Sequence, residues 1–262
     1  MTYKEMLDIA IKQSAIDFNC KKEDLLDKED KIVIHNLLAN RKLYYKEKLF
    51  FSAIHYGAGK VIATNQEFFK EVKDMMEDFH GFRLFDMPQV SFINEKLKAY
   101  GKCMTHFADY YLFDPKKEVE INQSLDIHLV ENDDVFELFQ YPGFINAMSY
   151  KEDNPQKDII ATYYKEDNEM IGIAAASTDA LDMWQIGIDV LDGHRYKGIG
   201  KTLVNHLAKA IINRGKVPYY CTSWSNIGSR QTALSSGFRP AWVEMAAKDI
   251  DVAKKIAYYK KK

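Results

Sequence analysis

Apolar and polar positions recur with a helical period in some stretches of this chain and a strand period in others, and each period marks a different kind of element. The first ~35 residues carry Met6, Leu7, Ile9, Ala10 and Ile16 roughly on one stripe, which predicts a helix ending near Asn19-Cys20. From Leu49 to Thr64 an aromatic and β-branched pattern surrounds Gly57-Ala58-Gly59, which predicts two strands about a turn. Asn65 then caps a helix whose apolar positions are Phe68, Phe69, Val72, Met75, Met76 and Phe79, ending near Gly81. An aromatic strand is expected over 106–113. The polar run Asp114-Pro115-Lys116-Lys117-Glu118 supplies a boundary, giving domains 1–117 and 118–262.

After that boundary the elements alternate. A strand falls within 121–130, and helix-like runs over 133–150 are broken at Pro142-Gly143. Residues 159–164 and 170–177 form a hairpin about Lys165-Glu166-Asp167-Asn168. Trp184 to Val190 is a further strand with Ile186, Ile188 and Val190 on one face. Lys201 to Arg214 is an amphipathic helix, striped by Leu203, Val204, Leu207, Ala208, Ile211 and Ile212 and followed by Gly215. A strand at 217–222, a helix at 226–236 closed by Gly237, and a strand at 241–247 complete an α/β chain with a mixed sheet. The Lys-rich end, residues 258–262, reads as a solvated tail.

Composition narrows the class. Hydrophobic residues make up 47% and charged residues 28%, the balance of a globular protein and not of a disordered chain. A formal net charge of -2 gives no global attraction to nucleic acid or to an anionic membrane. No window approaches the ~20 apolar residues that span a bilayer. Three scattered cysteines, Cys20, Cys103 and Cys221, argue against a disulfide framework and for a cytoplasmic setting. His35, His55, His80, His106, His128, His194 and His206 show no metal-ligand spacing, so no metal is expected.

The chemistry concentrates at Val190-Leu-Asp-Gly-His-Arg195-Tyr196-Lys197-Gly198-Ile199-Gly200-Lys201-Thr202. This run leaves a strand, turns through small and polar residues, and enters a helix. Amides at such a helix N-terminus bind anions, and Arg195 and Lys197 add positive charge. A phosphate loop of the G-x-x-x-x-G-K-[ST] type matches at Gly200-Lys201-Thr202 but fails at Arg195, and the G-x-G-x-x-G fingerprint fails at Leu203.

Arg195-Tyr196-Lys197-Gly198-Ile199-Gly200 fills every fixed position of [RQ]-x-x-G-x-[GA], and Asn226-Ile-Gly-Ser229 with Gly237-Phe238 follows at the next helix. In these motifs the chain resembles the GNAT superfamily of N-acetyltransferases over roughly residues 125–248, and specifically its bacterial two-domain members. The resemblance implies two central strands that splay apart to receive acetyl-CoA. The backbone of Ile188, Asp189 and Val190 would hold pantetheine and thioester; Arg195, Tyr196, Lys197, Gly198, Ile199, Gly200, Lys201 and Thr202 would hold the pyrophosphate. Asn226 and Ser229 would reach the pantetheine or thiolate side. An amine of a small molecule or peptide would attack the thioester directly, so orientation and carbonyl polarisation carry most of the catalysis.

One departure stands out: the usual thiolate-protonating Tyr is Ala233 here. Ser229, Ser235, Ser236, Tyr219, Tyr220 or a water could take its role. Asp189 is the expected base, with a paired structural carboxylate as its alternative reading. Residues 1–117 lack the [RQ]-x-x-G-x-[GA] loop; their strand–turn–strand–helix run leaves open a diverged half of the same fold. A non-catalytic acyl-CoA-binding module is the alternative function. The assembly does not follow from the sequence, with a homodimer as an open option.

Overall fold

The computed structural model describes residues 1–78, 81–149 and 157–257. The expected core position Phe79, His80, and the tail 258–262 lie outside the described residues. In chain order the elements are α1 (Tyr3–Phe18), β1 (Lys31–Ile34), β2 (Phe51–His55), β3 (Lys60–Thr64), α2 (Phe69–Asp78) and α3 (Met87–Lys98). They continue with β4 (Lys102–Phe113), β5 (His128–Glu131), β6 (Asp158–Glu166), β7 (Glu169–Ser177) and β8 (Met183–Val190). The last are α4 (Ile199–Asn213), β9 (Val217–Ser223), α5 (Ile227–Ser235), β10 (Phe238–Asp249) and α6 (Ile250–Ala257). Among the described residues ten strands form one mixed sheet, so the fold is α/β as the patterning implies.

Several sequence expectations need correction. The first helix does end where expected, at Phe18, with Asn19 turning left-handed (φ 57), but Ile32-Val33-Ile34, within the stretch read as helical, forms a strand. α3 is an addition to the expected elements, although Asp86 stands at its N-cap, Pro88 lies in its first turn, and Val90, Ile93 and Leu97 are spaced helically on its buried face. The 121–130 strand shrinks to His128–Glu131, and the run from 133 becomes a 3₁₀ stretch, Asn132–Gln140. The final strand is longer than expected and leads directly into α6.

Two compact units divide the chain. One comprises Met1–Ala10, Lys42–Tyr44 and Tyr110–Ala241; the other comprises Ile11–Arg41, Tyr45–Asp109 and Trp242–Lys262. The N-terminal decapeptide, the Lys42–Tyr44 segment and the C-terminal residues from Trp242 onward each sit in the unit opposite to the one a single cut would assign.

The unit containing Ile11–Arg41 builds on β1, which runs parallel to β3, while β2 lies antiparallel to both β3 and β10. Its core is Phe51, Ile62, Phe68, Val72, Leu84, Ile93, Leu97 and Met245. The unit containing Tyr110–Ala241 carries the Arg195–Gly200 motif. Asp167 and Asn168 both take positive φ at the β6–β7 turn, the conformation a tight hairpin requires. β7 pairs antiparallel with both β6 and β8. α4 packs Leu203, Val204, Leu207 and Ile211 with Ile186, Ile188 and Val190 of β8, so the single-face reading of that strand holds. A separate cluster gathers Val135, Leu138, Phe144, Ala147, Met148, Ile173 and Ala175.

Candidate functional site

β8 and β9 run parallel and stay in register from Met183↔Val217 to Ile186↔Tyr220, where their pairing stops. Among the described residues, Gly187, Ile188, Asp189 and Val190 continue β8 with strand partners on the β7 side alone. The pairing ends where the resemblance implies that the strands splay, and a backbone edge of this kind can accept a ligand strand-fashion.

Beyond Val190 the chain makes a short 3₁₀ turn, Asp192–His194, and enters α4. Tyr196 (φ 63) and Gly198 (φ 79) both turn left-handed before the helix begins. Tyr196 projects almost fully into solvent, at 98% exposure. The first backbone bond of α4 is Thr202 N–H to the Gly198 carbonyl at 3.0 Å. The amides of Ile199, Gly200 and Lys201 therefore stand ahead of the ladder at the positive end of a 15-residue helix. These donors fit a pyrophosphate. A Cβ on Gly200 would meet Val190 and Ile188 side chains only at 3.5 and 3.7 Å, so packing tolerates Ala there, whereas Gly198 is held by its dihedral alone.

Other expected ligands have different tasks. Thr202 is buried; its hydroxyl donates to the Gly198 carbonyl (3.0 Å) and accepts from Asn122 N–H (3.2 Å). It locks the helix start and offers the loop no donor, which corrects its place among the pyrophosphate ligands. The helix itself opens at Ile199, two residues earlier than expected. Arg195 folds back, its Nε donating to the Val190 carbonyl at 3.2 Å and its guanidinium pairing with Asp192 at 2.9 Å. It braces the turn while remaining half exposed. Ile199 points its side chain into the core, leaving only its amide for a ligand.

Asn226 caps α5, its Oδ1 accepting from Ser229 N–H at 3.1 Å. Ser229 Oγ lies 2.9 Å from the Tyr220 hydroxyl. Burial, partly offset by Ser229, pushes Tyr220 up to about 12. Tyr219, on the other side of its strand, donates to Asp179 and lies 3.0 Å from Gln185 Oε1. Ser235 and Ser236 both donate to the Thr232 carbonyl. Ala233 is completely buried.

Asp189 receives three donors: Asn146 N–H and Nδ2 at 2.6 Å each, and Ala147 N–H at 3.1 Å. The carboxylate clamps the 144–148 segment, which favours the paired reading of this residue over the base. Gly187 explains how closely that segment lies. A Cβ there would come 2.1 Å from the Asn146 carbonyl oxygen, so the strand needs glycine at this point.

Beneath this cover is a cavity of about 200 Å³, lined among others by Asn146, Ser149, Asp158, Asp179, Gln185 and Gly187. Among the described residues, none that lines it is a Lys, Arg or His. The sequence reading does not single out Asn146, Asp158, Asp179 or Gly187. The available signals were Gly187 interrupting an otherwise apolar strand and Asp158 opening a hydrophobic one.

A family model described as the acetyltransferase (GNAT) family matches residues 126–238. No curated protein matches the chain. Among solved structures, the chain is similar to a GCN5-related N-acetyltransferase-like protein from Streptococcus suis, with 14% identity and TM-score 0.43, covering 62% of this chain and 68% of that one. It is similar to a GCN5-related N-acetyltransferase from Kribbella flavida, with 14% identity and TM-score 0.44, covering 62% and 64%. It also resembles the aminoglycoside N-acetyltransferase AAC(6')-Iy, solved with CoA, at 23% identity and TM-score 0.35, covering 44% and 92%. The chain thus spans about two thirds of the length of the first two. With the splayed strands, the glycine-opened helix and the matching family pattern in the same segment, residues 126–238 are an acetyltransferase domain of the GNAT family.

Proposed function

We propose that this protein transfers an acetyl group from acetyl-CoA to a primary amine of a small molecule or peptide, by direct attack on the thioester. The observation that carries the reading is the end of β8–β9 pairing at Ile186↔Tyr220, just ahead of the uncapped first turn of α4. Acetyl-CoA would supply the activated acyl group. Amides of Ile199, Gly200 and Lys201 hold its pyrophosphate, and the unpaired β8 edge at Ile188–Val190 orients the pantetheine and polarises the carbonyl.

Ser229 is the residue we assign to the departing sulfur, in place of the tyrosine missing at Ala233. Its hydroxyl sits at the start of α5 and is held by Tyr220, which stays protonated at any physiological pH. Asp189 positions the 144–148 cover and is not assigned as the base. The buried Ala233 favours a second reading, an acyl-CoA-binding module without turnover.

The test is thermal stability with acetyl-CoA, free CoA and ATP, on the wild type and on Gly198→Glu, followed by thiol release with amines. A ligand at ~100 times its dissociation constant adds ~2.7 kcal/mol. Stabilisation by acetyl-CoA, lost in Gly198→Glu, supports the cofactor assignment; stabilisation by ATP alone overturns it. Tight binding without thiol release selects the non-catalytic module.

A further inference from the structure

Asp158, Ser177, Gln185 and Tyr219 are register partners in one row across four neighbouring strands. Asp158 pairs with Ser177, Ser177 with Gln185, and Gln185 with Tyr219. Paired residues share a sheet face, so this row forms a polar floor on β6 to β9. Three of the four line the cavity, together with Asp179 and the Ile145–Ser149 segment above.

The two carboxylates of this cavity differ. Asp179 accepts from the Tyr219 hydroxyl and lies 3.3 Å from the Ser177 hydroxyl, and the Leu43 amide donates to its backbone carbonyl at 2.8 Å. Asp158 is 6% exposed, and among the described residues only Ser149 faces it with donors, the amide at 2.7 Å. No cation lies against it among the described residues. A carboxylate this deep without a counter-ion is costly unless a cation is brought to it.

We propose that this cavity anchors one ammonium group of a diamine acceptor, with Asp158 as its counter-ion. The proposal rests on the acetyltransferase reading and names the substrate class for it. Asp158 stands two strands from β8, about 10 Å by sheet spacing. An ammonium seated against Asp158 leaves a second nitrogen, on a four- or five-carbon chain, within reach of the unpaired β8 edge just past Gly187. The anchored ammonium binds and orients the acceptor, and the free amine reacts. Burial raises Asp158 above the ordinary carboxylate range, Ser149 pulls it back and Asp179 adds to the rise, all consistent with a site completed by a cation.

The experiment is calorimetric titration of the full chain with 1,4-diaminobutane, 1,5-diaminopentane and 1,4-butanediol, using the wild type, Asp158→Asn and Gly198→Glu. The carboxamide in Asp158→Asn keeps an acceptor for the Ser149 amide, so this variant removes the charge with little change in shape. The expected result is diamine binding by the wild type and Gly198→Glu alike, weakened at least about tenfold in Asp158→Asn, and no binding of the diol. Absence of diamine binding in the wild type, or equal binding in Asp158→Asn, overturns the proposal. Acetyl-CoA titrated in parallel keeps the two readings apart. Its binding survives Asp158→Asn if the variant is folded, and its failure in the wild type sinks the cofactor assignment while leaving the diamine result to stand by itself.

Discussion

Asp189 and Asn146 are joined by two hydrogen bonds, the Asn146 amide and its Nδ2 each donating at 2.6 Å to a different carboxylate oxygen. One strand residue thereby fixes backbone and side chain of the segment that roofs the cavity. Asp189→Ala strips three donors of their acceptor and is expected to cost about 1–2 kcal/mol, a fall in Tm of several degrees. Because the role is positional, amine KM rises while the shape of the pH–rate profile is retained. Loss of one limb of that profile would instead identify Asp189 as the base.

Gly187 is the second anchor of that roof. Gly187→Ala places a methyl where the Asn146 carbonyl lies, so the 145–147 segment must lift. The expected penalty is about 1–3 kcal/mol, with weakened diamine binding. Chemical denaturation and amine titration check both parts. A neutral substitution would show that the segment is not seated on the strand.

The two loop glycines are expected to behave oppositely. Gly198→Ala forces a Cβ into a left-handed conformation (φ 79) and should destabilise by about 1–2 kcal/mol. Gly200→Ala meets only ordinary contacts inside the first helical turn and should be neutral or stabilising by up to ~1 kcal/mol, with acetyl-CoA stabilisation retained. Thermal melts of both variants with and without acetyl-CoA decide it.

The Tyr220–Ser229 pair yields a coupling prediction. Ser229→Ala and Tyr220→Phe should each lower kcat by roughly 10- to 100-fold with little change in KM for acetyl-CoA. The double variant should lose less than the product of the singles, since both act on one proton path. Fully multiplicative losses in thiol-release kinetics count against a shared path.

Asp158 supplies the pH dependence. Its carboxyl is raised by burial, so the folded chain holds that proton to higher pH than the unfolded chain does. The unbound protein therefore loses stability from this group as pH rises from about 3.9 through the raised folded value. Asp158→Asn should raise Tm of the ligand-free protein at neutral pH and leave it unchanged under acid conditions. Diamine binding should weaken in the wild type as pH falls through the same range. A variant that melts lower at neutral pH would show that Asp158 is already compensated.

Local rules made part of this protein legible from its sequence. The strand ending at Val190, the glycine-opened helix and the hairpin at Asp167-Asn168 each depend on a few adjacent residues, so period and turn chemistry suffice. Asn226 declared itself a cap in the same way. What the sequence could not reveal depends on residues far apart in the chain. Tertiary register alone brings Asp158, Ser177, Gln185 and Tyr219 into one row, because strand order and offset are set by packing and not by local propensity. Likewise only the fold shows Asp189 occupied by Asn146, and Gly187 lying under it. The short strand Lys31–Ile34 and the segments 1–10 and 242–257 took their places by long-range contacts that no window of neighbouring residues encodes. The sequence determined a glycine-opened helix start and a resemblance to one family, because both are local; the tertiary structure decided that Asp189 is held by Asn146 and Ala147 and that Asp158 lies against Ser149 in the cavity, because those partners meet only through the fold.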